Sequence, residues 1–124
     1  YQNHLTPAGR YREGLAALND YARAHGHHSF AQLPPGLQDD ILKGLESGAV
    51  DLALKSGLDT RDFFELVLQN TMEGFFADPL YGGNRNMVGW KLVGFPGARY
   101  DYRDHIAKHN VPYPRGPISI YGAA

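Results

Sequence analysis

Residues 74–97 read GFFADPLYGGNRNMVGWKLVGFPG, and they mix aromatic side chains with glycine and proline. This composition is too apolar for an ordinary solvated loop and too often interrupted for a long helix or strand. Gly82-Gly83-Asn84 is a turn sequence, as is the GFPG run at 94–97, because Gly and Asn accept positive φ and Pro fixes the chain direction. We call residues 74–97 the aromatic-glycine segment and predict an irregular but ordered structure for it.

The aromatic surface of this region exceeds what a small soluble monomer usually exposes. A buried aromatic side chain covers ~150–250 Å², whereas the largest exposed patch on a monomer is usually ~300–600 Å². We expect Phe75 and Trp90 to close the core of the chain and a partner chain to cover the other rings. Seven aromatic residues lie from position 74 to position 102: Phe75, Phe76, Tyr81, Trp90, Phe95, Tyr100 and Tyr102.

Three helices are predicted before and into this segment. The first helix is predicted to begin at Thr6-Pro7 and to end by Gly26. The second follows Pro34-Pro35-Gly36 and ends near Gly48. The third begins at Asp59-Thr60 and ends at residue 77 or 78, before Pro79. Apolar residues at steps of three and four predict the buried faces. The predicted buried residues are, in the first helix, Tyr11, Leu15, Leu18 and Ala22; in the second, Leu37, Ile41, Leu42 and Leu45; and in the third, Phe64, Val67, Leu68, Thr71, Met72 and Phe75.

The remaining segments are less regular. AVDLALKSGLD, residues 49–59, is compatible with an extended stretch or a loose helical turn. DYRDHIAKH, residues 101–109, predicts a further helix capped by Asp101, and VPYPRGPISIYG, residues 111–122, predicts an extended tail. The predicted fold is all-α: a single small helical domain over residues 1–124 with three to five helices, a long irregular C-terminal segment and an extended tail.

Composition excludes several classes of partner and cofactor. The 124 residues carry 12 basic and 13 acidic side chains, interspersed, so we expect no nucleic-acid or anionic-membrane partner. The chain has no cysteine, which excludes disulfides and thiolate metal sites within it. No apolar run approaches the ~20 residues of a membrane span. Because the sequence begins at Tyr1, we expect that an upstream segment, with any signal peptide, was removed or is not included.

No familiar catalytic or cofactor-binding motif is present. GxGxxG, GxxxxGK[ST] and GxSxG are all missing from the sequence, and we predict no catalytic, cofactor-binding or metal-binding residue in this chain. The alternative is a metal-binding hydrolase that uses His105 and His109, which have helical i, i+4 spacing, or the cluster from His25 to His28. We favour a solvated helix face for the first pair and a helix end for the cluster, where side-chain donors meet unpaired carbonyl groups.

EGFFADPLYGGNRNMVGWKLVGFPG, residues 73–97, resembles the hallmark segment of the gluconate 2-dehydrogenase subunit 3 family. FFADP, YGGN, GW and GFPG occur in the family's order, and TRDFFELVLQNTM before them is also similar. Residues 60–105 are covered well, and residues 1–58 match only in general character. Members are small subunits of bacterial membrane-associated sugar and sugar-acid dehydrogenases.

The resemblance implies a partner that carries the chemistry. Such small subunits pair with a large FAD-containing subunit of the glucose-methanol-choline (GMC) oxidoreductase type, from which electrons pass to a c-type cytochrome. The small subunit holds no cofactor of its own and helps its partner to fold and to reach the periplasm, using a twin-arginine signal that this sequence does not contain. The alternative within this reading is a transient export chaperone that is absent from the mature complex.

The resemblance implies no catalytic residue here, and we predict that the segment forms the partner interface. Asn84 and Arg85 are its notable polar groups, because an unpaired donor in a buried interface costs ~1–3 kcal/mol. A further hypothesis has Asn84, Arg85 and Asn86 lining part of the partner's substrate channel. The predicted interface residues are Phe75, Phe76, Asp78, Pro79, Tyr81, Gly82, Gly83, Asn84, Arg85, Met87, Trp90, Phe95 and Pro96.

Overall fold

The computed structural model describes residues 6–122 and is helical. Four α-helices occur in this part of the chain: α1 (Pro7–Ala24), α2 (Pro35–Ser47), α3 (Thr60–Phe76) and the short α4 (Val88–Val93). Single 3₁₀ turns lie at Phe30–Gln32, Pro79–Tyr81, Arg85–Met87 and Arg103–His105. The described residues contain two isolated β-bridges and no strand. The predicted all-α class is confirmed, and the first three helices lie where the sequence places them.

The chain divides into two compact units, one ending at Leu68 and the other beginning at Gln69. The boundary falls inside α3, so about half of this helix belongs to each unit. The single-domain organisation stays a prediction.

Local signals set the ends of α1 and α2. Thr6 accepts a hydrogen bond at Oγ1 from the backbone N–H of Gly9 (3.2 Å), which caps the start of α1. At the other end, His25 Nδ1 donates to the carbonyl oxygen of Tyr21 (2.8 Å), as predicted for the histidines that follow this helix. Gly48 ends α2 in the left-handed conformation, with φ of 77°.

The core of the first unit is formed by Leu18, Leu45, Leu52 and Phe63. Residues 49–59 form no helix or strand, yet they contribute Leu52 to this core. Thr60 fixes the segment, because its Oγ1 accepts from the N–H of Leu52 (3.0 Å) and donates to Oδ1 of Asp51 (3.1 Å). The segment between α2 and α3 is therefore an ordered connection that packs against both.

The predicted buried faces were partly wrong. Leu15 and Leu37 are exposed, and on α3 the buried residues are Thr60 and Phe63, whereas Met72 is exposed. Gly14, one position before Leu15, lies against the ring of Phe63, so the contact surface of α1 is rotated from the predicted one. A glycine permits this close approach of helix and ring, and an apolar periodicity count does not register it.

Gly14→Ala is expected to lower the free energy of unfolding by about 1–3 kcal/mol, because a Cβ at this position would lie 2.1 Å from Cε2 of the buried Phe63 ring. Gly36→Ala in α2 is the matched control, since a Cβ there meets no atom within 4 Å. The higher helix propensity of Ala should leave that variant neutral or up to ~1 kcal/mol more stable. Urea denaturation of both variants checks this, and equal midpoints would contradict the predicted Gly14–Phe63 contact.

The predicted helix over residues 101–109 was wrong. Only Arg103–His105 forms a 3₁₀ turn there. The Asp101 carboxylate accepts from the backbone N–H of Arg103 (3.0 Å) and from its guanidinium Nη2 (2.6 Å), and such local side-chain bonds compete with helix formation. The predicted extended tail is found in part: Ile118 pairs with the segment, where the N–H of Ala98 donates to its carbonyl oxygen (2.8 Å), and the chain then turns tightly between Ser119 and Gly122.

Candidate functional site

Asn84 is the centre of the aromatic-glycine segment. It is 4% exposed, and its backbone and side chain make four hydrogen bonds. Its N–H donates to the carbonyl oxygen of Gly74 (2.8 Å) and its carbonyl oxygen accepts from the N–H of Met87 (2.7 Å). Its side chain donates from Nδ2 to the carbonyl oxygen of Ala77 (2.9 Å) and accepts at Oδ1 from the N–H of Gly89 (2.8 Å). Asn84 thus joins the end of α3 to the start of α4.

Two glycines allow the segment to lie directly on the last turn of α3. A Cβ on Gly83 would be 2.1 Å from the carbonyl oxygen of Gly74, and one on Gly89 would be 2.1 Å from that of Phe75. Both glycines are therefore required by the close approach of two backbones. The sequence shows that glycines are frequent in this segment, but only the structure shows which backbone atoms each glycine contacts.

The turn between Asn84 and α4 uses left-handed backbone at three residues. Asn84, Asn86 and Met87 have φ values of 44°, 57° and 56°. Asparagine tolerates this conformation, whereas methionine rarely adopts it. Met87 is also buried, so packing and the hydrogen bond to Asn84 hold it there.

Trp90 anchors α4 to the same part of α3. It is 6% exposed, and its indole Nε1 donates to the carbonyl oxygen of Phe76 (2.7 Å), one of the carbonyls that a helix end leaves unpaired. The Phe95 ring meets it edge to face with centroids 5.1 Å apart. The predicted burial of Trp90 is confirmed. The predicted burial of Phe75 was wrong, because its ring is exposed and packs edge-on against the exposed Phe76.

Asp78 connects the segment to the tail. Its Oδ1 accepts from the N–H of Leu80 (2.9 Å) and from Oγ of Ser119 (2.7 Å), and its Oδ2 accepts from the N–H of Ile120 (2.9 Å). Desolvation raises the pKa of this carboxyl, but the hydrogen bonds from Leu80, Ser119 and Ile120 together outweigh it and lower the pKa below its usual value. Asp78 is therefore an ionised acceptor whose partners belong to its own chain.

The structure sorts the predicted interface residues by exposure. Asn84, Met87 and Trp90 are buried and contact their own chain, and the hypothesis that Asn84, Arg85 and Asn86 line a substrate channel stays a prediction. Asp78, Pro79, Gly83 and Pro96 are half-buried. The exposed members are Phe75, Phe76, Tyr81, Gly82, Arg85 and Phe95, and for these the interface role stays a prediction.

The form of the histidine alternative that uses His105 and His109 rested on a helix that does not form. His105 ends a 3₁₀ turn and its ring lies 4.7 Å from that of Tyr113, whereas His109 lies beyond this turn. No cluster of three or more His, Cys, Asp and Glu side chains within residues 6–122 is placed to hold a metal ion. Over the same residues, each helix is too short or too polar to cross a lipid bilayer.

The fold and the segment define a small helical protein whose distinctive element is an ordered loop with outward-facing rings. The family model for gluconate 2-dehydrogenase subunit 3 matches residues 3–97, and the chain belongs to this family. The match includes α1 and α2, beyond the part in which the sequence resemblance was clear. Comparisons with curated proteins and with solved structures gave no match.

Proposed function

We propose that this chain is the non-catalytic small subunit of an FAD-dependent sugar or sugar-derivative dehydrogenase. Membership of a subunit 3 family supports a multi-subunit dehydrogenase complex. In the proposal, a large GMC-type subunit binds FAD and substrate and passes electrons to a c-type cytochrome. The small subunit stabilises the large one, helps it to mature, and is exported with it to the periplasm by the twin-arginine route.

The observation that carries this proposal is the display of aromatic rings on a fixed backbone. Tyr81 is 75% exposed, and Phe76 and Phe95 are also exposed, although the backbone between them is held by the bonds of Asn84. Preordered aromatic side chains lose little conformational entropy on docking, and such residues often dominate the binding energy of interfaces.

The outer face of α4 adds apolar surface beside these rings. Gly89 and Trp90 are buried, whereas the side chains of Val88 and Leu92, one helical turn apart, are exposed. A solvated helix normally shows polar residues on its outer face. The outer face of α4 therefore suits a protein partner better than water.

Tyr81→Ala is expected to weaken association with the large subunit by roughly tenfold or more, since truncating an aromatic anchor costs about 2 kcal/mol. The measurement is copurification and binding affinity of this chain with a tagged GMC-type flavoprotein, which is first sought among the neighbouring reading frames. The visible absorbance of the bound flavin reports the complex. Tyr121→Ala is the matched control, because Tyr121 is 82% exposed but lies outside the residues that the family model matches.

Two outcomes would change the proposal. Wild-type affinity for both Tyr81→Ala and Phe76→Ala would exclude these rings as anchors. A mature periplasmic oxidoreductase that lacks this chain, although its maturation requires the chain, would identify a transient chaperone instead of a resident subunit.

A further inference from the structure

The end of the tail lies along one edge of the aromatic-glycine segment. The N–H of Ile118 donates to the carbonyl oxygen of Pro96 (3.3 Å), and the carbonyl oxygen of Ile118 accepts from the N–H of Ala98 (2.8 Å). These bonds form the parallel bridge between Gly97 and Ile118. A Cβ on Gly97 would be 2.1 Å from the Ile118 carbonyl oxygen, so the glycine makes room for the tail backbone.

The Asp78 carboxylate binds the next two residues of the tail. It accepts from the Ser119 hydroxyl with one oxygen and from the Ile120 N–H with the other. Behind them the chain turns tightly, with mutual hydrogen bonds between the backbones of Ser119 and Gly122 (3.0 and 2.8 Å). The tail is therefore recognised through its backbone and one hydroxyl group.

Side-chain burial contributes to this contact only in part, since Pro117, Ile118 and Ser119 are half-buried. Ile120 and Tyr121 are both exposed, and the connection from Arg99 to Gly116 contains a single 3₁₀ turn. A segment tethered in this way sees its site at an effective concentration in the millimolar range, so a weak intrinsic affinity is enough to keep it bound. The hydrogen bonds of this contact involve backbone groups, one carboxylate and one hydroxyl group, so another chain that adopts the same backbone conformation can also form them.

We propose that Asp78 and the edge Pro96–Ala98 form a binding site for a peptide that pairs with this edge and then turns tightly at a residue with a hydroxyl side chain, and that the tail is its exchangeable ligand. Asp78, Pro96 and Gly97 lie within the residues that the family model matches, whereas Ile118–Ile120 lie beyond them. All of the site except Ala98 thus lies within the matched residues, and this chain supplies its own ligand. The proposal does not depend on the dehydrogenase partner.

Amide hydrogen exchange in the full chain tests this, because the Ala98 and Ile120 N–H groups both bond across the contact. Ser119→Ala removes the hydroxyl and should raise exchange at both amides about tenfold. The synthetic peptide PRGPISIYG, residues 114–122, added at millimolar concentration should restore the protection of Ala98 in this variant. The same peptide with the Ser119→Ala change is the matched control and should restore much less.

Unchanged exchange at Ala98 in the Ser119→Ala chain would overturn the proposal, and so would equal rescue by the two peptides. Protection of the Gly89 amide, which bonds to Asn84, reports whether the rest of the segment stays folded. Ile120→Pro removes the tail's backbone donor to Asp78 and is a second variant. It should also raise exchange at Ala98 about tenfold, and the peptide PRGPISIYG should also restore the protection.

Discussion

Trp90→Ala is expected to lower the free energy of unfolding by about 3–5 kcal/mol, the range for removing a large buried aromatic side chain. The indole is 6% exposed and packs edge to face with the Phe95 ring. Its loss also leaves the Phe76 carbonyl oxygen without the Nε1 donor that satisfies it. Both effects act on the attachment of α4 to the end of α3.

Two controls separate these contributions. Trp90→Phe keeps much of the ring volume but removes the donor, and should cost about 1–3 kcal/mol. Leu92→Ala changes a residue of the same helix that is 73% exposed, and should stay within about 0.5 kcal/mol of wild type. Urea denaturation is best followed by far-UV circular dichroism, because Trp90 is the only tryptophan and its substitution removes the tryptophan fluorescence signal. Equal midpoints for Trp90→Ala and Leu92→Ala would contradict the buried position of the indole.

Helix ends could be predicted from the sequence because the signals that set them are local. A hydroxyl at Thr6, a glycine at Gly48 and the ring of Pro79 each act on backbone groups within a few residues. The all-α class followed from the same signals, since three helices already account for much of the chain.

Helix faces could not be predicted as well, because burial depends on residues far apart in the sequence. Gly14 contacts Phe63, 49 positions later (63 − 14), and this single contact leaves Leu15 facing solvent. The tail contact has the same character, since Ser119 reaches Asp78 across 41 positions. No local pattern marks either pair.

The division of the aromatic-glycine segment into buried and exposed residues was predicted only in part: the burial of Trp90 was predicted correctly, whereas that of Phe75 was not. In the structure Asn84 and Trp90 satisfy the end of α3, whereas Tyr81 faces outwards. The segment therefore combines two roles: buried residues fix its backbone, and exposed rings use that backbone as a support. Substitutions of the two kinds should differ in whether they affect folding or association.

Asn84→Ala is the sharpest test of this division, with an expected loss of about 3–5 kcal/mol in the free energy of unfolding. The substitution leaves the Gly89 N–H and the Ala77 carbonyl oxygen without their side-chain partner, at ~1–3 kcal/mol for each buried group. It also places alanine at φ of 44°, a left-handed conformation that costs about 1–2 kcal/mol.

Asn86→Ala is the matched control for Asn84→Ala, because Asn86 has the same side chain and a φ of 57° but is exposed. It should lose only the conformational part, about 1–2 kcal/mol, so the difference between the two variants measures the buried hydrogen bonds of Asn84. Thermal and urea unfolding of both variants, followed by circular dichroism, gives this difference. Equal losses would show that the buried bonds of Asn84 to α3 and α4 add no stability. That result would contradict the role of these bonds in holding the backbone between the exposed rings.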